Sequence, residues 1–517
     1  MEQKQQGEIR KWIDRSIIFF LFLFAAFAPH SIAVTQAAWL VGMLLWIARF
    51  AFYPPPDTFR TPLDYALLGF FILTGISAVF SYEPMVSAGK LRAACLFTIV
   101  YLVAQNISSL PVVRLLALTL IASSLIGVLF VTGQQIVGTG IRLEGVRADS
   151  PLSQAMSTPR TTAQLAPILS GDTVFEVDSV RISTPEELAA ALRAKPNAPT
   201  ARVRIFRLEW TPTLEVPRGR LLPGDTVEQQ LGISGWSRGR DWRATGLYGN
   251  FVTYAESVQL IASLALGLFL VQPRKRSLSA LLLLLSVVAL VWALAFTVTR
   301  ASWAAFLFSA ILMIFLSSSR RTLLIFGASA VALLIAGAIF LQQRRGVGFL
   351  DPKDLSTTWR ATVWREGFNL LINNPRHLVV GIGMDSIKSH WREWGMFQGG
   401  RLPWGHMHSN LLQLALERGI PTLLMWLWLM AAYVRLLWRM VRRPMSAPEE
   451  TSGSAGYPLE IPNANFDRGI ALGGLGGVSG FFLSGLVHYN WGDSEVVMIL
   501  YFIMGLSLVI YRQKSPA

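Results

Sequence analysis

Cysteine is nearly absent from this chain: there is one, Cys95, in 517 residues. A lone cysteine in an apolar run permits no intramolecular disulfide and argues against a cysteine-based metal site. Charge is also sparse, 15% of residues against 52% hydrophobic. No small-residue cleavage site follows the first apolar stretch, which runs straight into a second, so a removable signal peptide is not expected. No His-Glu-x-x-His occurs, which removes a zinc-protease arrangement. The two halves show no repeat, and few charges fall at mid-membrane depth; both absences weigh against a secondary transporter or flippase. What the chain does have is apolar runs of about 17–22 residues, the length that crosses a bilayer core. The expected fold class is therefore an all-α polytopic membrane protein. The +15 net charge is explained first by topology, because Lys and Arg accumulate in cytoplasmic loops. No nucleic-acid partner is expected.

Twelve transmembrane helices are expected, at roughly 16–29, 32–51, 63–80, 91–107, 113–132, 251–271, 278–297, 301–317, 321–341, 409–436, 468–488 and 495–511. With the N-terminus inside, the basic residues sort to one side. Lys4, Arg10, Lys11 and Arg15 precede the first span, Arg274, Lys275 and Arg276 follow the sixth, and Arg320 and Arg321 follow the eighth. Arg439, Arg442 and Arg443 follow the tenth, and Arg512 and Lys514 the last. Both termini are then cytoplasmic. The organisation reads as helices one to five in 1–139, a soluble insertion in 140–245, helices six to nine in 246–341, a long outside loop in 342–408, and the last three helices in 409–517 with a cytoplasmic loop at 440–466.

The first outside segment reads as strand, turn, strand, helix, loop, strand between about 140 and 210. Thr184 suits an N-cap, with Pro185 at the first helical position and Glu187 at N3, a capping-box arrangement. Ser150-Pro151, Gly171-Asp172, Val177-Asp178-Ser179 and Pro185-Glu186-Glu187-Leu188 resemble a bacterial PDZ domain, a small α+β module. The resemblance implies a peptide or protein partner bound by strand addition; a packing or docking role is the alternative. The stretch between Ser150 and Gly171 is longer than in that pattern, and no carboxylate-binding loop stands out.

The second outside segment opens with Gln342-Gln343-Arg344-Arg345, where the positive-inside rule would avoid arginine. Arg344 and Arg345 are thus candidate contacts for an anionic ligand, beside the plainer reading of a solvated or lipid-facing cluster. Two helices are expected in the loop. Ser356 would cap the first, which ends at Asn374-Pro375 and gathers Arg360, Trp364, Phe368 and Leu371 on one face. The second runs from about Asp385 to Trp394. His406 and His408 then face the outside at the foot of the tenth span, with Glu417 two turns further along. His488, with Asp493 and Glu495, lies at the next outside turn.

His408-Ser409, nine residues, then Gly419 resembles the His-(Asn/Ser/Gln)-x9-Gly signature of the O-antigen ligase and polymerase family. Thr299-Arg300-Ala301-Ser302 is similar to the family's helix-end arginine, and Arg360 with Trp364, Asn374-Pro375 and Gly381-Ile382-Gly383 to its loop motif. The resemblance covers about residues 245–435, and a PDZ-like insertion is a departure from it. It implies a GT-C-like fold and a metal-independent glycosyltransferase in a bacterial inner membrane, with its site at the periplasmic face. The glycan would pass from an undecaprenyl-diphosphate carrier to an acceptor hydroxyl, on lipid in ligases or on a growing chain in polymerases. No cofactor is implied.

Residue chemistry points the same way. A leaving lipid diphosphate develops negative charge, which permanently charged, planar guanidinium groups suit. Arg300 and Arg360 are the candidates, with Arg344 and Arg345 beside them. An acceptor hydroxyl needs a base, and imidazole serves; His408 is the first choice, for that role or for orienting the acceptor, His406 is second for the same role, and His406 and His488 are candidate substrate contacts. Other readings stay open: an interfacial histidine that only hydrogen bonds, transfer of glycan to protein hydroxyls, a transporter, or a membrane protease. For the last, Gly477-Val478-Ser479-Gly480 matches a serine motif, but small residues there also serve close helix packing, and the last span offers no histidine to pair with Ser479. Metal-dependent GT-C chemistry would want acidic ligands in the first outside loop, which is only Pro29-His30-Ser31.

Overall fold

The computed structural model describes residues 2–52, 61–157, 165–194, 198–207, 211–240, 243–317, 355–400, 402, 405–442 and 463–514. The expected ninth span, Arg344, Arg345 and most of the loop at 440–466 lie outside the described residues. The chain forms two compact units, Met1–Val128 with Thr245–Ala517, and Leu129–Ala244.

The larger unit is helical, as its long apolar runs dictate. Among the described residues, eight helices are long and apolar enough to cross a membrane: Ile32–Arg49, Pro84–Asn106, Leu110–Val137, Phe251–Leu270, Leu278–Phe296, Arg300–Ser317, Asn410–Arg442 and Ser494–Gln513. Three further helices lie where spans were expected but fall short of that standard. Glu2–Phe27 begins with charged turns, Asp64–Val79 has 16 residues, and Asn463–Ser484 is rich in glycine. The expected fourth span starts earlier than its hydrophobicity indicated, because Pro84 occupies the first helical position, and a 3-10 turn at Cys95–Phe97 interrupts it.

Glycine brings the centre of this unit together. A Cβ on Gly267 would collide with the backbone of Gly473, and one on Gly473 would lie 2.6 Å from Leu264 Cα. The helices Phe251–Leu270 and Asn463–Ser484 therefore meet backbone to backbone, the close approach that small residues permit in membranes. This gives the glycine run around Ser479 a packing role. It also buries Phe251–Leu270 almost completely, with Glu256 fully shielded.

The loop ahead of the histidines differs from its sequence reading. Its first helix is Leu355–Ile372, so Ser356 lies inside it instead of capping it. Its buried stripe is Val363, Gly367 and Leu371, while Phe368 is exposed. Asn374 does end that helix, but it also caps a new one, Pro375–Val380, by accepting from Arg376 N. The expected helix from Asp385 to Trp394 shrinks to one turn, Ile387–His390. Asp385 has φ +62°, a conformation a helix does not admit, and ion pairs to Lys90 at 2.7 Å and Lys388 at 2.9 Å hold it there. Further on, Phe397, Gln398 and Gly399 all take left-handed dihedrals. The Glu366 carboxylate supports that turn by accepting from Phe397 N at 2.7 Å and Gln398 N at 3.2 Å.

The histidine-bearing helix, Asn410–Arg442, is not continuous. Gly419 has φ +83° and ψ 164° and Pro421 follows, so the helix breaks after two and a half turns. The break frees carbonyls that the loop uses: Ile382 N donates to Leu416 O and Gly383 N to Glu417 O, each at 2.9 Å. Ser77 Oγ donates to Glu417 O at 3.0 Å as well.

Among the described residues the smaller unit is a seven-stranded antiparallel sheet with two short helices. Its path is β2 (Met156–Ser157), β6 (Thr213–Pro217), β5 (Thr200–Phe206), β3 (Thr173–Val177), β1 (Ile141–Glu144), β7 (Gly235–Arg238), with β4 (Val180–Arg181) pairing β3. Along β5, Ala201, Val203 and Ile205 are buried, the alternation of a strand with one face on a core. The helix Pro185–Arg193 starts at Thr184, whose Oγ1 accepts from Glu187 N at 3.3 Å. The returning bond from Glu187 goes to Ser183 N at 2.6 Å, one residue before the cap. Entry and exit of the chain are adjacent, since Ile141 pairs with Arg238 and Thr139 N donates to Gly239 O.

Candidate functional site

The loop carrying the two histidines is clamped from both sides. Trp364 Nε1 donates to Met407 O at 2.7 Å, and Met407 N donates to Gln413 Oε1 at 2.6 Å. Gly367 makes room for Met407, whose sulfur would sit 2.5 Å from a Cβ there. Asn410 N donates to Gly485 O at 2.7 Å, fixing where the helix begins. His408 therefore stands just outside the helix, at φ +47°. Its ring meets the edge of Trp359 at 4.6 Å between centroids and lies 3.9 Å from the ring of His406.

The two imidazoles are not equivalent. His406 Nδ1 accepts the His408 amide hydrogen at 3.1 Å, so a neutral His406 keeps its proton on Nε2 and acts outward as a donor. Among the described residues no hydrogen bond engages the His408 ring, which leaves a ring nitrogen lone pair for a ligand. Burial pushes His408 down to about 2, with the charges of His406, Arg360 and His488 adding to it. Burial also takes His406 down to about 4, helped by His488, Lys388 and Arg360 and opposed by Asp385. Both are neutral at pH 7, the form that can accept a proton.

Arg360 and His488 are thus brought to the histidine pair, and His488 arrives from a different part of the chain. It is held by a group the sequence reading missed. His488 Nδ1 donates to Glu256 Oε1 at 2.8 Å, and Glu256 also accepts from Ser302 at 3.0 Å, Ser484 at 2.6 Å and Asn490 at 3.2 Å. The available signal was a lone carboxylate inside the sixth apolar run. Arg300 begins the helix Arg300–Ser317 behind the left-handed Val298, two residues before Ser302, which donates to Glu256. Asp493 and Glu495 do not bind His488. Asp493 instead accepts from Thr253 Oγ1 at 3.0 Å, and burial pushes it up to about 7 against that bond, with Glu495 and Glu256 adding to the rise.

Glu417 turns away from His408. Its carboxylate accepts from Asp385 N at 2.9 Å and from the Tyr489 hydroxyl at 3.3 Å. Tyr489 in turn lies 5.5 Å from the His406 ring. Among the described residues no group of three or more His, Cys, Asp or Glu side chains is placed to hold a metal ion.

A half-buried imidazole with an open nitrogen, an arginine whose charge acts on it and a second histidine on a carboxylate are the groups that proton transfer next to an anion needs. Residues 285–427 match the family model for O-antigen ligase. This stretch is similar to O-antigen ligases. No curated protein matches the chain. The matched stretch contains Arg300, Arg360, His406, His408 and Gly419, whereas Glu256, His488 and the Leu129–Ala244 unit lie outside it. It sits in a membrane protein and implies a glycosyltransferase-type enzyme acting on a lipid-linked glycan and an acceptor.

Proposed function

We propose that this protein moves a glycan from an undecaprenyl-diphosphate carrier to an acceptor hydroxyl at the periplasmic face of a bacterial inner membrane, without a metal ion. The observation that carries this reading is His408: a neutral ring, open to a ligand, acted on by the charge of Arg360 and inside the stretch similar to O-antigen ligases. The acceptor oxygen attacks the anomeric carbon, its proton passes to His408, and the bond from that carbon to the diphosphate oxygen breaks. Arg360 and Arg300 stabilise the departing diphosphate, the charge that grows as the bond lengthens. A bound diphosphate also offsets the positive charges that depress His408, which makes the imidazole a better base when donor is present. His406 serves through Nε2–H as a donor to substrate oxygen, and His488, oriented by Glu256, supports the same region. Arg344 and Arg345 extend the anion-binding surface in this reading. The acceptor is lipid A core, a growing polysaccharide or a protein hydroxyl, and the Leu129–Ala244 unit acts as a PDZ-like module for a peptide or protein partner.

The test compares His408→Asn, Arg300→Gln and His406→Asn in the native host at matched membrane levels. His408→Asn and Arg300→Gln should each lower glycan transfer by about 10²–10⁴-fold, the range for lost acid–base or charge stabilisation. Surface polymer should fall and lipid-linked glycan should accumulate. His406→Asn should lose much less, because its Oδ1 can replace Nδ1 as acceptor for the His408 amide. Normal polymer in both His408→Asn and Arg300→Gln would make these residues structural and move a transport role forward.

A further inference from the structure

A cavity of about 110 Å³ lies beyond Tyr489 from the histidine pair, lined by Lys90, Asp385, Glu417, Arg418, Tyr489 and Tyr501 among others. Its ionic groups are unevenly satisfied. Asp385 is held by Lys90 at 2.7 Å and Lys388 at 2.9 Å. The Glu417 carboxylate accepts from Asp385 N and the Tyr489 hydroxyl. Arg418 is only 7% exposed, yet its Nε has no hydrogen-bond partner. Among the described residues, no hydrogen bond or ion pair reaches its guanidinium. The neighbour on which it rests is the Phe70 ring, 5.4 Å from Cζ.

A guanidinium removed from water with its donors unmet is strongly unfavourable unless an acceptor arrives in use. Buried ionisable groups in membrane proteins mark ligand sites for this reason. Glu417 is a nearby countercharge for Arg418, but both carboxylates at the cavity take their hydrogen bonds from other donors, so the guanidinium's N–H groups remain for an acceptor with negative charge. Arginine's planar fork matches two oxygens of one phosphate or carboxylate. Lys90, paired with Asp385 at 2.7 Å, stands at the same wall, and its ammonium can share a further oxygen.

We propose that Arg418, with Lys90, binds an oxyanion, a phosphate or carboxylate group carried by the substrate. This deepens the glycan-transfer reading by assigning an anionic substrate class, while the binding event itself is measured without catalysis. The full-length protein in lipid nanodiscs is titrated calorimetrically with three probes: farnesyl diphosphate, glucose 6-phosphate and glucuronate. At least one should bind, and Arg418→Gln should raise its Kd tenfold or more, with partial recovery in Arg418→Lys. Preference for farnesyl diphosphate assigns the carrier headgroup; preference for either sugar anion assigns a substituent on the saccharide. Without ligand, Arg418→Gln should unfold at about the temperature of the parent, since it removes no hydrogen bond to the guanidinium. Unchanged affinity for all three probes in Arg418→Gln overturns the proposal, as does failure of all three to bind the parent protein. If Arg418→Gln does not fold, Arg418→Lys and Lys90→Gln carry the test, and parental affinity in both overturns it. His408→Asn should keep this binding, so failure of the transferase reading and failure of the oxyanion site are separable.

Discussion

His406 and His408 differ by one hydrogen bond, and that bond assigns them different chemistry. The His408 amide engages the lone pair of His406 Nδ1, so only His408 offers an unengaged acceptor. Burial depresses both rings, and the sign of the resulting pH effect follows. An unfolded chain takes up two protons at these residues as pH falls through about 6.5, the ordinary imidazole value. The folded chain resists, to about 4 at His406 and about 2 at His408. Stability should therefore drop as pH falls from about 6.5 towards 4, where the unfolded state binds more protons. Asp493 acts in the opposite sense: raised to about 7, it binds a proton in the folded state first and favours folding on the acid side. The histidine contribution is thus read as a difference. Between pH 7.5 and 5, the melting temperature in detergent should fall more steeply for the parent than for His406→Gln/His408→Gln. Equal slopes would show that the rings titrate normally. The sequence displayed the histidine pair and its two arginines because such residues are rare in an apolar chain. It did not display the tautomer, which turns on the folded geometry of the loop between His406 and His408, or the pairing of His488 with Glu256, which lie 232 positions apart.

At the scale of the element, the sequence announces apolar runs well and their interruptions poorly. The run at 409–436 reads as one helix, yet Gly419 breaks it, and the loop glycines explain why. A Cβ on Gly419 would collide with Val379 O, and one on Gly381 with the Glu417 carbonyl. The two segments pass so closely that both must lack side chains. The nine-residue spacing from Ser409 to Gly419 is then the length of the half-helix that sets the histidine loop on one end and the Gly381–Gly383 contact on the other. Likewise the shortened helix at Ile387–His390 depends on Asp385 being locked by two lysines, one of them nearly 300 positions away, which no local pattern encodes. Gly419→Ala is expected to be costly: the backbone there suits glycine almost alone, a penalty of about 1–3 kcal/mol before the collision with Val379 O. The variant should melt several degrees below the parent and lose transfer activity, while Ile420→Val, outside the close contact, should do neither. A fully active, equally stable Gly419→Ala would show that the break is not required.

The whole chain divides into two units, and the smaller has the marks of a module that folds by itself. It has its own buried cluster, including Leu143, Leu188, Val203, Ile205 and Leu231. Its first and last strands are hydrogen-bonded neighbours, Ile141 opposite Arg238 and Glu144 opposite Gly235, so its two ends need no other part of the chain to hold them together. Internal ion pairs supplement the core: Asp172 with Arg207 at 2.5 Å, and Asp178 with Arg218, which also donates to Ala191 O and Ala194 O. About a hundred residues with one core are enough for independent, cooperative folding. A fragment of residues 138–240 should therefore be soluble without detergent and unfold in one sigmoidal transition by circular dichroism. Leu188, fully buried in the helix that packs on the sheet, provides the control. Leu188→Ala should cost about 2–5 kcal/mol, whereas substitution of the exposed Val180 should leave the transition within about 0.5 kcal/mol. A fragment that melts without cooperativity, or that tolerates Leu188→Ala, would mean that this unit takes its fold from the membrane-spanning part. Its proposed role as a separable docking module would then fall with it.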